Sequence, residues 1–431
     1  MKWWSDLWLN EGFAEFMEYK AVDHVEPFWN MSAQFIPLDL VRALHADESI
    51  YTHQIAIPVK NPNEISSIFD DISYGKGSSV LRMLQSWMDE KYGENTFFHK
   101  LNGYLTKFAY SNAETGDLWD ALKTPDQNIS QFMKTWTDQP GFPFLNFSQV
   151  TANDFTVKQS RFIFASLLEE SNIESLKSQI WSVPLSYAIY ANSTGTAKRV
   201  TRGFTEISKL GDVAVSFQQP IPDDAVLLAN YLQTGVYRSL YDSKTYRYII
   251  DWLNKDLELL PNVERGGLIS DVFSQTFAGH LKDPTIALDL SKILAKDSDI
   301  LVWLTALKDL ESLKNVFALD PLYGSMVEYQ TGLIEKVLGS VGWIENDPKS
   351  KYAHSRSLVR GRLLSEAIRN NHEETVAVAL KYFQDIKNGK QLNLPPEAYP
   401  AIYDAGVIYG NLNDYIFVQE RFVSLSLIRF C

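Results

Sequence analysis

WLNEGFAEFMEY, residues 8–19, decides how this chain is read. At helical spacing Trp4, Trp8 and Glu11 fall on one stripe, because positions i, i+4 and i+7 share a face. A carboxylate that continues a stripe begun by two tryptophans needs a reason. The plain one makes Glu11, Glu15 and Glu18 the solvated edge of an amphipathic helix. The other makes Glu11 a metal ligand. A carboxylate gives zinc a hard oxygen, commonly beside two histidines, with a fourth position left for water. One carboxylate is not a site, and on these residues both readings stand.

The usual source of two histidine ligands is a helix carrying H-E-x-x-H, whose i, i+4 spacing aims both rings at one ion. The histidines are His24, His45, His53, His99, His280, His354 and His372, and none has a second four residues on. HEETV at 372–376 begins correctly but places Val376 where the second ligand belongs. It is rejected.

Tyr74, in DISYGKGSSVLRML, is the second candidate. GKGSS is no phosphate-binding P-loop, since Gly77 follows the lysine where Ser or Thr is required. Tyr74 is either an ordinary boundary aromatic ahead of a helix starting near Ser78 or a phenol able to donate to a developing oxyanion. A nucleophile elbow, G-x-S-x-G, is absent, and the sole cysteine is Cys431.

A length of 431 residues calls for two or three domains. Apolar residues at 45% and charged residues at 22% describe an ordinary globular chain. The net charge of −13 argues against nucleic acid or an anionic membrane as the main partner. No apolar run approaches the roughly 18 residues of a membrane span. One cysteine excludes an intrachain disulfide and favours a reducing compartment, whereas sequons at Asn30, Asn128, Asn146 and Asn192 point the other way. Cytoplasm and plasma-membrane ectodomain both stay open. The N-terminal residues make no signal peptide, because Asp6 and Glu11 interrupt them.

Residues 1–140 read as mainly helical. SSVLRMLQSWMDEKYG, 78–93, places Val80, Leu81, Leu84, Trp87 and Met88 on one face and ends at Gly93. QPGFPF at 139–144 breaks that pattern. From 141 to 225 short alternating runs, NDFTVKQSRFIF, WSVPLSYAIY and DVAVSFQQP, predict a small antiparallel sandwich with NSTGT as a turn. From 226 to 431 helical periodicity returns, in pieces the length of paired solenoid helices.

Together these residues resemble a family. MKWWSDLWLNEGFAEFMEYKAVDHVEP is similar to the segment that follows H-E-x-x-H in gluzincin zinc aminopeptidases of the puromycin-sensitive and aminopeptidase N types. DDISYGKGSSVLRML is similar to the I-S-Y-x-K-G segment, and WTDQPGFP, WSVPLSY, TGVYRSLYD and ERGGLISDVFSQTFAG match further stretches in collinear order. The resemblance implies the C-terminal half of a gluzincin catalytic domain (1–140), a β-sandwich (141–225) and an incomplete helical C-terminal domain (226–431). It implies Glu11 as the third zinc ligand and Tyr74 as the residue that stabilises the tetrahedral intermediate. It implies one Zn2+ and peptide substrates with a free N-terminus.

The family spacer of 18 residues between the second histidine and that glutamate exceeds the ten residues before Glu11. The expectation is therefore a fragment, truncated at both ends and inactive as it stands, with any membrane anchor in an absent N-terminus. Apolar faces around Trp3, Trp4 and Trp8 are expected to be bare and the chain poorly soluble. Two rivals remain: a non-catalytic binding or regulatory module derived from an aminopeptidase, and a purely structural α-solenoid.

Overall fold

Helix α1 (Leu7–Val25) starts one turn later than the tryptophan stripe suggests. Trp4 belongs to a 3-10 turn, Trp4–Asp6, ahead of it. Trp8 is fully buried and stacked on Trp119, ring centroids 5.8 Å apart. Its indole N–H donates to Thr115 Oγ1 at 3.1 Å. Of the three N-terminal tryptophans expected to be bare only Trp3 is exposed, because the helices of this half cover the others. In the computed structural model the described residues are all except 152–153, 165–175, 177, 192–197, 209–210, 217–224 and 430–431. The expected NSTGT turn, the Asn192 sequon and Cys431 therefore lie outside the described residues.

The chain forms two units, Met1–Leu290 and Ser291–Cys431. In the first, helix α2 (Met31–Phe35), a π turn (Ile36–Leu40) and α3 (Val41–Asp47) follow one another without a break. Pro37 explains the widened turn, since it has no N–H to offer the carbonyl four residues back. A second π turn, Ile72–Lys76, leads directly into α4 (Gly77–Tyr92). The apolar face of α4 is the one the sequence predicts: Val80, Leu81, Leu84 and Met88 are fully buried and Trp87 nearly so. Gly93 ends it at φ +103, a conformation that costs glycine nothing. Helices α5 (Thr96–Lys107), α6 (Thr115–Ala121) and α7 (Ile129–Thr137) complete this layer.

Seven strands follow among the described residues: β1 (Pro143–Gln149), β2 (Asp154–Arg161), β3 (Val183–Ala191), β4 (Lys198–Ile207), β5 (Gly211–Ser216), β6 (Ala225–Ala229) and β7 (Arg238–Leu240). One sheet has the order β5-β2-β1-β7 and the other β4-β3-β6. All pairings are antiparallel except β1 with β7, where Phe144 lies opposite Arg238. Gln159 of β2 joins the two sheets, donating to Trp181 O at 3.0 Å while Trp181 N donates back at 2.6 Å.

The sheets are tied to the helical layer as well. Trp136 Nε1 donates to Ser182 O at 3.0 Å. Arg82 of α4 donates to Leu232 O at 3.1 Å and Gln233 O at 2.5 Å, in a turn where both residues hold a left-handed φ. Helices α8 (Ser243–Lys255) and α9 (Asn262–Phe277) pack beyond β7, and α9 carries Glu264 at 1% exposure.

The second unit contains α10 (Ile300–Val316), α11 (Tyr323–Val341), α12 (Ala353–Arg369), α13 (Glu373–Lys387), α14 (Tyr399–Tyr409) and α15 (Leu412–Arg429), each packed on its neighbours. Helix α12 packs on α14, and Val359, Leu363 and Ala367 of the one and Ile402 and Ala405 of the other are all buried. The mainly α architecture with small sheets expected from the sequence is the one observed. No described helix is long and apolar enough to cross a membrane.

Candidate active site

Glu11 and Tyr74 are brought together by a crossing of two helices at glycine. A Cβ built on Gly12 of α1 would lie 2.9 Å from the carbonyl carbon of Gly77 of α4. One built on Gly77 would lie 3.3 Å from Gly12 Cα and 3.6 Å from the Trp8 ring. A side chain on Gly12 would force a backbone shift, and one on Gly77 would be tightly crowded. Glu11 is the residue before Gly12, and Tyr74 sits in the π turn that runs into Gly77, so the crossing sets the two groups face to face.

Both are half-buried. Burial and the neighbouring Glu11 carboxylate push the Tyr74 phenol up to about 12, so at neutral pH it is a hydrogen-bond donor. The Tyr74 ring also rests 6.4 Å from that of Phe69, centroid to centroid.

The π turn is held at both ends. At its end, Lys76 is wholly buried, its Nζ 2.8 Å from Asp47 Oδ2 and donating to Gly141 O at 2.9 Å. Asp47 Oδ1 in turn accepts from Gly141 N at 3.0 Å. Burial pulls the Lys76 ammonium down, opposed by Asp47. At its start, Asp70 Oδ1 accepts from Ile72 N at 3.0 Å and Ser73 N at 3.1 Å. These contacts are invisible to a motif scan, although a lysine following Tyr74 inside an apolar segment is a signal that could have been followed.

A second charged group lies along α1. Arg42 Nη2 is 3.0 Å from Asp39 Oδ1 and 3.7 Å from Glu15 Oε1, and its Nε is 3.1 Å from Asp71 Oδ1. Asp39 is 1% exposed. Burial, and after it the Asp39 carboxyl, raise Glu15 above the ordinary carboxylate range. Glu18 alone of the three glutamates is exposed, so only it fits the solvated-edge reading in full.

The donor set limits what the site can hold. Among the described residues no group of three or more His, Cys, Asp or Glu side chains is arranged to bind a metal ion. Catalytic zinc takes three protein ligands and a water. Glu11 is a single donor, and the histidines with clear partners serve elsewhere. His53 pairs with Asp70, His280 packs against Phe144, and His372 caps α13 through Thr375 N. The described residues by themselves do not make a zinc site.

Residues 1–136 match the Peptidase family M1 domain, and residues 226–427 match the ERAP1-like C-terminal domain. The chain is 31% identical to glutamyl aminopeptidase of Homo sapiens, over 99% of this chain and 42% of that protein. It is 32% identical to aminopeptidase A of Gloydius brevicauda, over 91% of this chain and 39% of that protein. It is 29% identical to the alanine/arginine aminopeptidase of Saccharomyces cerevisiae, over 96% of this chain and 45% of that protein. It thus spans less than half the length of these curated relatives.

Proposed function

The chain belongs to the M1 family of zinc-dependent aminopeptidases, and from that premise we propose that it serves the release of N-terminal amino acids from peptides. In this reading Glu11 is one zinc ligand and Tyr74 the donor to the oxyanion. The carrying observation is that the two residues confront each other where α1 and α4 touch at Gly12 and Gly77.

Zinc in a full ligand set supplies Lewis-acid activation of a carbonyl. The chain's own contributions are separate from that. Glu11 offers a carboxylate whose direction is fixed by the glycine crossing. Tyr74, protonated across the physiological range, can donate to an oxygen that gains charge as a tetrahedral species forms. The stiff π turn sets where that hydroxyl sits, so little reorganisation is needed as charge develops. Residues 1–431 contain no H-E-x-x-H, and we propose that this polypeptide alone does not hydrolyse peptides.

A chimera tests the reading. Residues 1–431 would replace the matching segment of the yeast alanine/arginine aminopeptidase. Glu11→Gln should then lower bound zinc. Tyr74→Phe should keep zinc and reduce turnover about 10²–10³-fold. Full turnover in Tyr74→Phe would remove Tyr74 from the chemistry. Zinc-dependent peptide hydrolysis by residues 1–431 alone would overturn the statement about the isolated chain.

A further inference from the structure

A π turn leaves amides at its start that need acceptors off the regular ladder. Asp70 provides them for the turn that carries Tyr74. Its Oδ1 accepts from Ile72 N and Ser73 N, and its backbone carbonyl accepts from Tyr74 N at 3.1 Å. The remaining oxygen, Oδ2, is 2.7 Å from Nε2 of His53. His53 Nδ1 is in turn 2.8 Å from the carbonyl of Gln54.

Both partners of the imidazole are acceptors, a geometry that suits an imidazolium able to donate from both nitrogens. The ionisable groups facing it are Asp70 and Asp47, both acidic. Those facing Tyr74 are Glu11 and Glu15. A hydrogen-bonded path therefore runs from His53 through Asp70 to the amides directly before Tyr74. None of the chemistry above assigns His53 or Asp70 a part.

We propose that His53, as a doubly donating imidazolium, is a positioning residue that holds Asp70 over the start of the π turn and so fixes the Tyr74 hydroxyl against Glu11. Its catalytic meaning rests on Tyr74 being the oxyanion donor; the coupling itself does not. The geometry agrees with the electrostatics, since the hydrogen bond to Asp70 is the leading cause that raises His53, against its burial. Asp70 is lowered despite its own burial, by His53 and the Ser73 and Ile72 amides.

The test uses residues 1–431 labelled with 3-fluorotyrosine, with the Tyr74 ¹⁹F line assigned by its loss in Tyr74→Phe. The line should shift with pH at the same midpoint as the His53 ring proton. His53→Gln, which still donates to Asp70 but does not titrate, should hold the line at its low-pH position throughout. His53→Ala should fix it at the high-pH position. A Tyr74 line that ignores the His53 titration in the unaltered protein overturns the proposal, and this arm needs no variant to fold. In the chimera, His53→Ala should lower kcat with KM and zinc content unchanged. A coupled ¹⁹F shift with unchanged kcat would leave the positioning intact and overturn the oxyanion role of Tyr74 instead.

Discussion

Gly12 and Gly77 are in backbone contact, and that contact fixes the separation of Glu11 from Tyr74. Two helices that meet through side chains sit 8–10 Å apart, axis to axis. Meeting through glycine allows a closer approach, and the groups beside the contact point inherit it.

Gly12→Ala is therefore expected to destabilise the chain by about 1–3 kcal/mol, the usual cost of forcing an extra methyl into a filled space. Gly103, inside α5, has nothing within 4 Å of a built Cβ. Gly103→Ala should stabilise by roughly 0.5–1 kcal/mol through helix propensity. Urea midpoints of the two variants, measured side by side, check the contrast. A Gly12→Ala protein as stable as Gly103→Ala would deny that the crossing is tight.

Lys76→Met should cost about 3–5 kcal/mol, because it leaves Asp47, itself 1% exposed, as a buried and unpaired charge. Adding Asp47→Asn should recover part of that loss. Thermal melts of the single and double variants would show it, and identical melts would count against the ion pair.

Glu264 makes stability depend on pH near neutrality. Burial is the main cause that pushes it up to about 7, against the Leu232 amide, Gln233 and Tyr190 that donate to it. An acid raised in the fold binds its proton more tightly there than in the unfolded chain. Its contribution is thus complete below the ordinary glutamate value of 4.5 and is lost as pH rises to about 7. Glu264→Gln should show a smaller drop in urea midpoint between pH 5 and pH 8 than the unaltered chain.

Glu345 works in the opposite direction. Hydrogen bonds from Arg356, with burial opposing them, hold it down at about 2. An acid lowered in the fold stabilises above its unfolded value of 4.5 and loses that contribution as pH falls through about 2. Glu345→Gln should be less stable than the unaltered chain at pH 7 and converge with it at pH 2. Equal midpoints at pH 7 would contradict this.

The helical layer was legible where the sequence carries an undiluted period. The 78–93 face, from Val80 to Met88, is the buried one because a single stripe of α4 meets the core. Helix α1 was harder. Leu7, Trp8, Leu9, Gly12, Phe16 and Tyr19 are all buried, more than one face of it, and Trp4 precedes it in a tighter turn. The two π turns were not legible, since a period of 3.6 residues has no slot for the inserted residue. Neither was the His53–Asp70 pair, because two residues 17 apart on a loop and a turn leave no spacing rule to follow. Resemblance singled out Glu11 and Tyr74; it says nothing of the glycines that hold them face to face.

Both backbone polar groups of Gly141 are anchored in the helical layer, the amide to Asp47 and the carbonyl to Lys76. The segment where helices give way to strands is thereby denied the slack of a tether. A protease should find no seam at Gln139–Pro143, and slow amide exchange at Gly141 should report the same locked backbone. Excising the strands at that point would strip a buried lysine of its acceptor and wound the very turn that presents Tyr74.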